Sequence, residues 1–401
     1  QFSQQNNQSN GKTDAISGNF RFEWKIDSLT TIMYRPSVNF SKGNSNSGSF
    51  SETLNNELIP INQKEATNRQ TNDRFSTNGS LQFNRKLNSK GRNIALRLYY
   101  NLDNGNSDRY SLANTYYLKY GDSIKVQNQW IDNLNRNHEY RVQLTYMEPV
   151  FTNHFIEINY SYQHRSSLSE KYAYDWNDLE DSYSQYPDTA QSDCYKNKYS
   201  IHQVGAFFRT IRTNYFYNIG IEIEPQQTTN QSYMRDTTLE YSSRNAINYA
   251  PTMNFKYTFS KQTTLRINYR GRTTQPSMTD LYSKNDISDP LNIRLTNPNL
   301  KPSFNNNISA TFNTYFTETL RSFNANFSYS NTINSTTRIV TYDENTGGRT
   351  TQPTNVNGNW RIDGSFTFST PLSNKKFTVN TYTNANYGNS VGFTVLNKES
   401  D

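Results

Sequence analysis

The feature that most constrains this chain is a period-two alternation of apolar and polar residues that recurs in paired segments from end to end. Phe20, Phe22, Trp24 and Ile26 alternate with polar neighbours, residues 27–30 read as a turn, and Ile32, Tyr34, Val38 and Phe40 resume the pattern. A second pair runs through Leu81 and Phe83, turns at 88–91 and returns through Ile94, Leu96, Leu98 and Tyr100. The third has Tyr140, Val142, Leu144 and Tyr146, a turn around Pro149, then Ile156, Ile158, Tyr160 and Tyr162. Four further pairs turn at 211–214, 260–262, 317–319 and 373–375. Successive side chains of a strand point to opposite faces, so this pattern predicts about fourteen strands in seven hairpins, each with one apolar and one polar face. Few windows sustain the i, i+3, i+4 spacing of an amphipathic helix.

Composition decides which kind of β-protein this is. Hydrophobic residues are only 33% of the 401, below the roughly 45–50% usual for soluble domains. Yet 14% are aromatic, with 30 Tyr and 23 Phe, where a disordered chain would be poor in them. A transmembrane β-barrel satisfies both numbers, because its lumen and loops are polar and only an outward band flanked by aromatic girdles must be apolar. The expected fold class is therefore all-β, an antiparallel transmembrane β-barrel spanning 1–401, with strands of roughly ten residues. Short turns on one side and long polar segments on the other, such as 42–73, 166–198, 226–246 and 273–305, agree with that asymmetry. In a soluble sandwich the apolar face would instead be an inner core, and this remains the alternative all-β reading.

No apolar run approaches the twenty residues of a membrane helix, and no signal peptide opens the chain. The single cysteine, Cys194, excludes an internal disulfide and a cysteine-rich metal site. The net charge of +7 comes from 41 basic residues dispersed among 34 acidic ones, which does not make a nucleic-acid surface. Basic residues at the short-turn end (among them Arg85, Lys90, Arg212, Arg321 and Lys375) suit snorkelling at a membrane boundary. No enzyme is expected: His138, His154, His164 and His202 are scattered without metal-ligand spacing, and no nucleophile elbow or phosphate loop is present. No cofactor is expected either.

One loop has a distinctive composition. Residues 169–193 interleave seven carboxylates with five aromatics, and Asp175, Trp176, Asp178, Glu180 and Asp181 are its candidate ligand-binding residues, since carboxylates suit a cation and aromatic faces suit a glycan or a partner protein. A solvated acidic loop is the plainer reading.

The most specific stretch is Gln275-Pro276-Ser277 followed, from 289 to 302, by DPLNIRLTNPNLKP. It resembles the QPS…NPLN…GNPNLKPE segment of TonB-dependent-receptor-like barrels in the Bacteroidetes outer-membrane β-barrel family. Residues 31–36 (TIMYRP) and 146–150 (YMEPV) agree with it, while Thr296 stands where such proteins usually have Gly and Ser303 where they often have an acidic residue. The resemblance implies an outer-membrane receptor importing a bulky nutrient, with outer-membrane lipid, TonB and surface lipoproteins as partners. It also implies a 22-stranded barrel with an N-terminal plug. No plug-like segment is read before Phe20 and no terminal aromatic after Lys398, so the chain is expected to be an interior portion of such a barrel, a complete fourteen-stranded pore being the alternative. A scaffold barrel in an outer-membrane assembly, and a soluble adhesin or glycan-binding protein, are the other functional readings. Within the motif, Pro276, Pro290, Pro298 and Pro302 cannot donate ladder hydrogen bonds, which predicts a stiff crossing over the barrel mouth, with Asn292, Arg294 and Asn297 tying it to neighbouring loops.

Overall fold

The computed structural model describes residues 2–397 apart from 119–122, 236, 278–279, 282–284, 286, 288, 290, 344–345 and 374–375. Pro290 and Lys375 thus lie outside the described residues. The dominant sheet has sixteen strands. Its main path runs through β1 (Phe2–Asn19), β3 (Thr30–Leu54), β4 (Pro60–Lys86), β5 (Asn93–Tyr117), β6 (Ser123–Phe151), β7 (His154–Asn177) and β9 (Asp193–Ile211), and continues with β10 (Tyr215–Met234), β11 (Thr237–Thr258), β12 (Thr264–Thr274), β14 (Ser303–Phe316), β15 (Arg321–Ile333), β18 (Asn359–Pro371) and β19 (Thr378–Asn389). Two short strands flank it: β2 (Phe22–Lys25) continues the line of β1 along β3, and β8 (Ser182–Tyr183) pairs with the end of β7. Every main-path pairing is antiparallel, and the strands are paired in chain order along the path. No ladder joins β1 to β19 among the described residues.

All fourteen expected strands are present, but their lengths are not the expected ones. β3 to β7 have 24 to 29 residues, whereas β12 to β19 on the main path have 11 to 14. A crossing needs about 9–11 residues, so the long hairpins run far beyond any bilayer. Much of what reads as long loop is consequently paired strand: 42–54 pairs with 60–73, and 226–234 with 237–246. Asn, Ser, Thr and Gln dominate these extensions, and neither face there must be apolar, so the alternation that marks a strand fades while the backbone ladder continues. The residues before Phe20, not read as strand from the sequence, form β1 against β3 over 18 residues for the same reason.

Turn chemistry explains the short-turn end. The Asp27 carboxylate accepts from the backbone N–H of Leu29 (2.7 Å) and Thr30 (2.6 Å), closing the β2–β3 corner. Asn88 Oδ1 does the same for Lys90 and Arg92, and Gly91 supplies the φ of +106° that this turn needs.

Burial along the strands is inverted relative to a soluble protein. On β7, β9 and β10 the apolar residues Ile158, Val204, Ile219 and Ile221 are 44–51% exposed, while their polar neighbours Asn159, Ser161 and Glu224 are 4–8% exposed. The outward apolar side chains, exposed or half-buried, form cross-strand rows: Leu98 opposite Val142, Val142 opposite Tyr162, Ala206 opposite Ile221, Ile219 opposite Met253, Phe255 opposite Ile267. Towards the short turns a chain of ring contacts runs Tyr257–Phe259–Phe312–Phe323–Phe366, with centroids 4.6–6.4 Å apart. An apolar outer band bordered by an aromatic girdle is the surface of a membrane barrel, and the sandwich alternative, which needs that face buried, does not hold.

A second sheet of four strands, β13 (Asn292–Arg294), β17 (Arg349–Val356), β16 (Ser335–Asp343) and β20 (Phe393–Asn397), is separate from the wall and includes two parallel pairings.

Candidate functional site

The polar face carries the chemistry. Because side chains alternate, every second residue of β4 to β12 points inward, and these are mostly amides, hydroxyls and charges that bond across the strands. Arg74 makes a two-pronged ion pair with Asp103 (both contacts 2.7 Å), Arg209 pairs with Glu157 (2.5 Å), and Asn159 donates to Glu222 (3.1 Å). Arg141 donates to Gln163 Oε1 (2.6 Å), whose Nε2 donates to Glu139 (2.9 Å). Phe207 is one exception to this polarity. It is 9% exposed on the inward face, and its ring lies against Gly205 and Gly220, where no side chain could otherwise cover the backbone.

The described residues of the motif segment, 275–302, form a strap across this face between the end of β12 and the start of β14. Its ends are held in two ways. Leu281 and Leu300 are 2% and 3% exposed and pack together against Tyr199 of β9. Its later half is clamped to the small sheet: β13 runs parallel to the start of β17, Leu295 N–H donates to Thr351 O (2.8 Å), and Asn297 Nδ2 donates to Pro353 O (2.9 Å). Asn355 of β17 accepts from Lys301 N–H (2.7 Å) and donates to Lys301 O (3.0 Å) and Asn334 O (2.9 Å).

One ion pair joins strap to wall. Lys64 Nζ lies 2.8 Å from Asp289 Oδ2, with the side chains 20% and 30% exposed. Burial acts to raise the Asp289 pKa, but the Lys64 ammonium, the Asn292 amide and the Leu291 N–H outweigh it and hold the carboxyl below its ordinary value. Nearby, Asn62 Nδ2 donates to Thr346 O (2.7 Å), which seats the β16–β17 turn on β4.

Of the motif residues singled out from sequence, Asn292 and Asn297 are at these junctions, Asn292 Oδ1 also accepting from Arg349 Nε (2.5 Å). Arg294 is exposed at the end of β13, Pro298 is exposed, and Pro302 is half-buried at the entry to β14. The five loop candidates do not converge. Asp175 is still in β7, where its carboxylate accepts from Gln129 Nε2 (2.7 Å) on the inward face. Trp176 is next in the strand and points the opposite way, its ring edge-on to Tyr183 at 5.0 Å. Asp178, Glu180 and Asp181 follow in the turn, Asp181 with a φ of +47°. The aromatics of this hairpin extend into stacked Trp130 and Tyr174, 4.8 Å apart. Glu170, on the same hairpin, accepts from Tyr233 (2.5 Å), and burial together with Asp108 and Glu170 pushes the Asp132 carboxyl above its ordinary value. Among the described residues no group of three His, Cys, Asp or Glu is arranged to hold a metal ion.

Sequence reasoning missed the inward arginines at the strap, Arg141, Arg165, Arg244 and Arg272. Their signal was present: each occupies the polar register of its strand, out of phase with Val142, Tyr162, Tyr249 and Tyr269. What the sequence does not show is that four strands bring them to one level under the strap.

Comparison with known proteins bears on the wall. A family model described as the outer membrane protein beta-barrel family matches residues 85–400. Among solved structures the chain is similar to the ferric-catecholate import receptor Fiu from E. coli K12 in its closed form, at 10% identity and a TM-score of 0.46, covering 94% of this chain and 64% of that one. It is also similar to the copper transporter OprC, at 9% identity and a TM-score of 0.48, covering 96% of this chain and 61% of that one. A double mutant of the Serratia marcescens hemophore receptor HasR, in complex with its hemophore HasA and heme, gives 11% identity and a TM-score of 0.48, covering 92% of this chain and 62% of that one. The chain thus spans 61% to 64% of the length of these three proteins. No curated protein matches it.

Proposed function

Because the chain belongs to the outer membrane protein beta-barrel family and so lies in the outer membrane, we propose that residues 1–401 form the wall and mouth closure of a barrel that takes up a bulky nutrient. The observation that carries this reading is the strap. A passive pore needs only a polar lumen, whereas here residues 275–302 and a four-stranded sheet are built across the polar face and latched to it by Lys64–Asp289 and Asn62–Thr346. Such a closure suits selective admission of a solute more than free diffusion. In this reading Asn292 and Asn297 serve as strap anchors, and the hairpin bearing Asp175, Trp176, Asp178, Glu180 and Asp181 is a peripheral contact surface for a glycan or a surface lipoprotein. The protein catalyses no reaction, and energy for transport comes through a TonB-type partner acting on the full-length receptor. The resemblance of the strap to Bacteroidetes receptors supports this.

The test is growth and uptake. Deleting the gene in its host should abolish accumulation of one large solute while leaving entry of small sugars unchanged, and re-expression should restore it. Unchanged uptake of every large solute tested, with surface lipoproteins copurifying on the protein, would replace this reading with the scaffold role.

A further inference from the structure

Beneath the first turn of the strap, on the inward face between β6–β7 and β9–β12, lies a cavity of about 420 Å³. Its lining includes four arginines, Arg141, Arg165, Arg244 and Arg272, and one carboxylate, Glu224. The volume falls within the range of small-molecule sites. Four guanidiniums against one carboxylate leave this lining with an excess of three positive charges. Arg74, Arg209 and Lys64 all have carboxylate partners, but Arg165, Arg244 and Arg272 form no ion pair among the described residues.

Two of the arginines, Arg141 and Arg165, are also held in place. Arg165 lies over the Tyr199 ring, 5.6 Å from its centroid, and Tyr199 is the residue against which Leu281 and Leu300 pack. Arg141 is fixed by Gln163 and stands 4.0 Å from Glu139, yet its Nε is buried with no hydrogen-bond partner. The floor is a chain of amides, with Gln275 donating to Asn248 (2.7 Å), Asn248 to Gln226 (3.2 Å) and Gln226 to Thr228 (2.8 Å). A buried guanidinium donor without an acceptor is costly to leave unmet, and planar guanidinium forks match the two oxygens of carboxylate and phosphate. Clefts lined by one sign of charge concentrate counter-ions.

We propose that the cavity roofed by Pro276, Ser277 and Leu281 and lined by Arg141, Arg165, Arg244 and Arg272 binds a small solute bearing at least two oxyanion groups, carboxylate or phosphate. Taking that solute as cargo rests on the uptake reading; the binding itself does not.

Calorimetry on the full chain in detergent micelles tests it, with citrate, pyrophosphate and uncharged maltotriose as probes. Citrate or pyrophosphate should bind, more weakly as salt is raised, and maltotriose should not. Preference between the two anions identifies carboxylate or phosphate as the chemistry. The double variant R165Q/R244Q should weaken binding by at least about tenfold, the loss of two charge-assisted hydrogen bonds, while R321Q at the short-turn end should leave it unchanged. On the unaltered chain, the bound anion should protect Arg165, Arg244 and Arg272 from phenylglyoxal, read by peptide mapping. Absence of binding by both anions at low salt, equal binding by R165Q/R244Q, or no protection of these arginines would overturn the proposal. The uptake reading would survive each of these if the chain still enters bilayers and its host still imports a large solute. Conversely, anion binding without any uptake would sink only the cargo role.

Discussion

Placing an arginine at Ile158 tests whether the exposed apolar face meets lipid. Ile158 is 50% exposed and stands in an unbroken row, opposite Tyr146 on β6 and Ala206 on β9, with Ile221 beyond. It is four residues from the His154 end of a strand of 24, within the first crossing length from the short turns. If this face borders hydrocarbon, Ile158→Arg costs about 2–4 kcal/mol at mid-depth, less towards the interface. That is a shift of roughly 30- to 900-fold in the folding equilibrium. If the face borders water, an exposed β-position tolerates the change within about 0.5 kcal/mol. At mid-depth the two expectations do not overlap. Asn326→Arg is the control, because Asn326 is exposed on the inward face of β15 and should stay within about 0.5 kcal/mol. The assay is reversible unfolding in guanidinium with the chain inserted in phosphatidylcholine vesicles, followed by tryptophan fluorescence. Equal midpoints for Ile158→Arg and Asn326→Arg would refute the assignment of the apolar face to lipid, and with it the barrel.

Three further outcomes are expected. Asp289 titrates below its ordinary value when paired with Lys64, so the strap latch is fully present above about pH 5 and is lost as pH falls through the depressed native pKa, below the ordinary value of about 3.9. Proteolysis within 275–302 by an acid-active protease should therefore rise on acidification, and Asp289→Asn should make it fast and pH-independent. Gly220→Val should destabilise the chain by about 1–3 kcal/mol in denaturant unfolding, because a Cβ there meets the Ala206 carbonyl oxygen and the Phe207 ring. Asn355→Ala removes three hydrogen bonds and should speed cleavage of the strap while leaving the global unfolding midpoint within about 0.5 kcal/mol, since the small sheet is separate from the wall.

Within the membrane the strands were legible residue by residue. Tyr140 to Tyr146, Ile156 to Tyr162 and Val204 to Phe208 alternate because one face must be apolar and the other polar, and the same contrast shows that the apolar face is the outer one. Beyond the bilayer that pressure is absent. Residues 42–54 and 60–73 form a ladder with polar side chains on both faces, so only backbone pairing marks them as strand, and backbone pairing leaves little trace in composition. Asn292 and Asn297 could be picked out because prolines punctuate the segment around them, although their partners, Arg349 and Pro353, are more than fifty residues away.

What the sequence by itself determined is therefore the class of wall: hairpins in order, short turns at one end, and the parity that sends Ile158 outward and Asn159 inward. This follows from a period of two, which is a local property. The tertiary structure decided how far β3 to β7 extend, where the strap lies, and that Arg141, Arg165, Arg244 and Arg272 share one cavity. Those depend on register between strands and on the strap's Leu281 and Leu300 finding Tyr199. They are contacts between residues distant in the chain, and no local pattern encodes the level at which separate strands place their side chains.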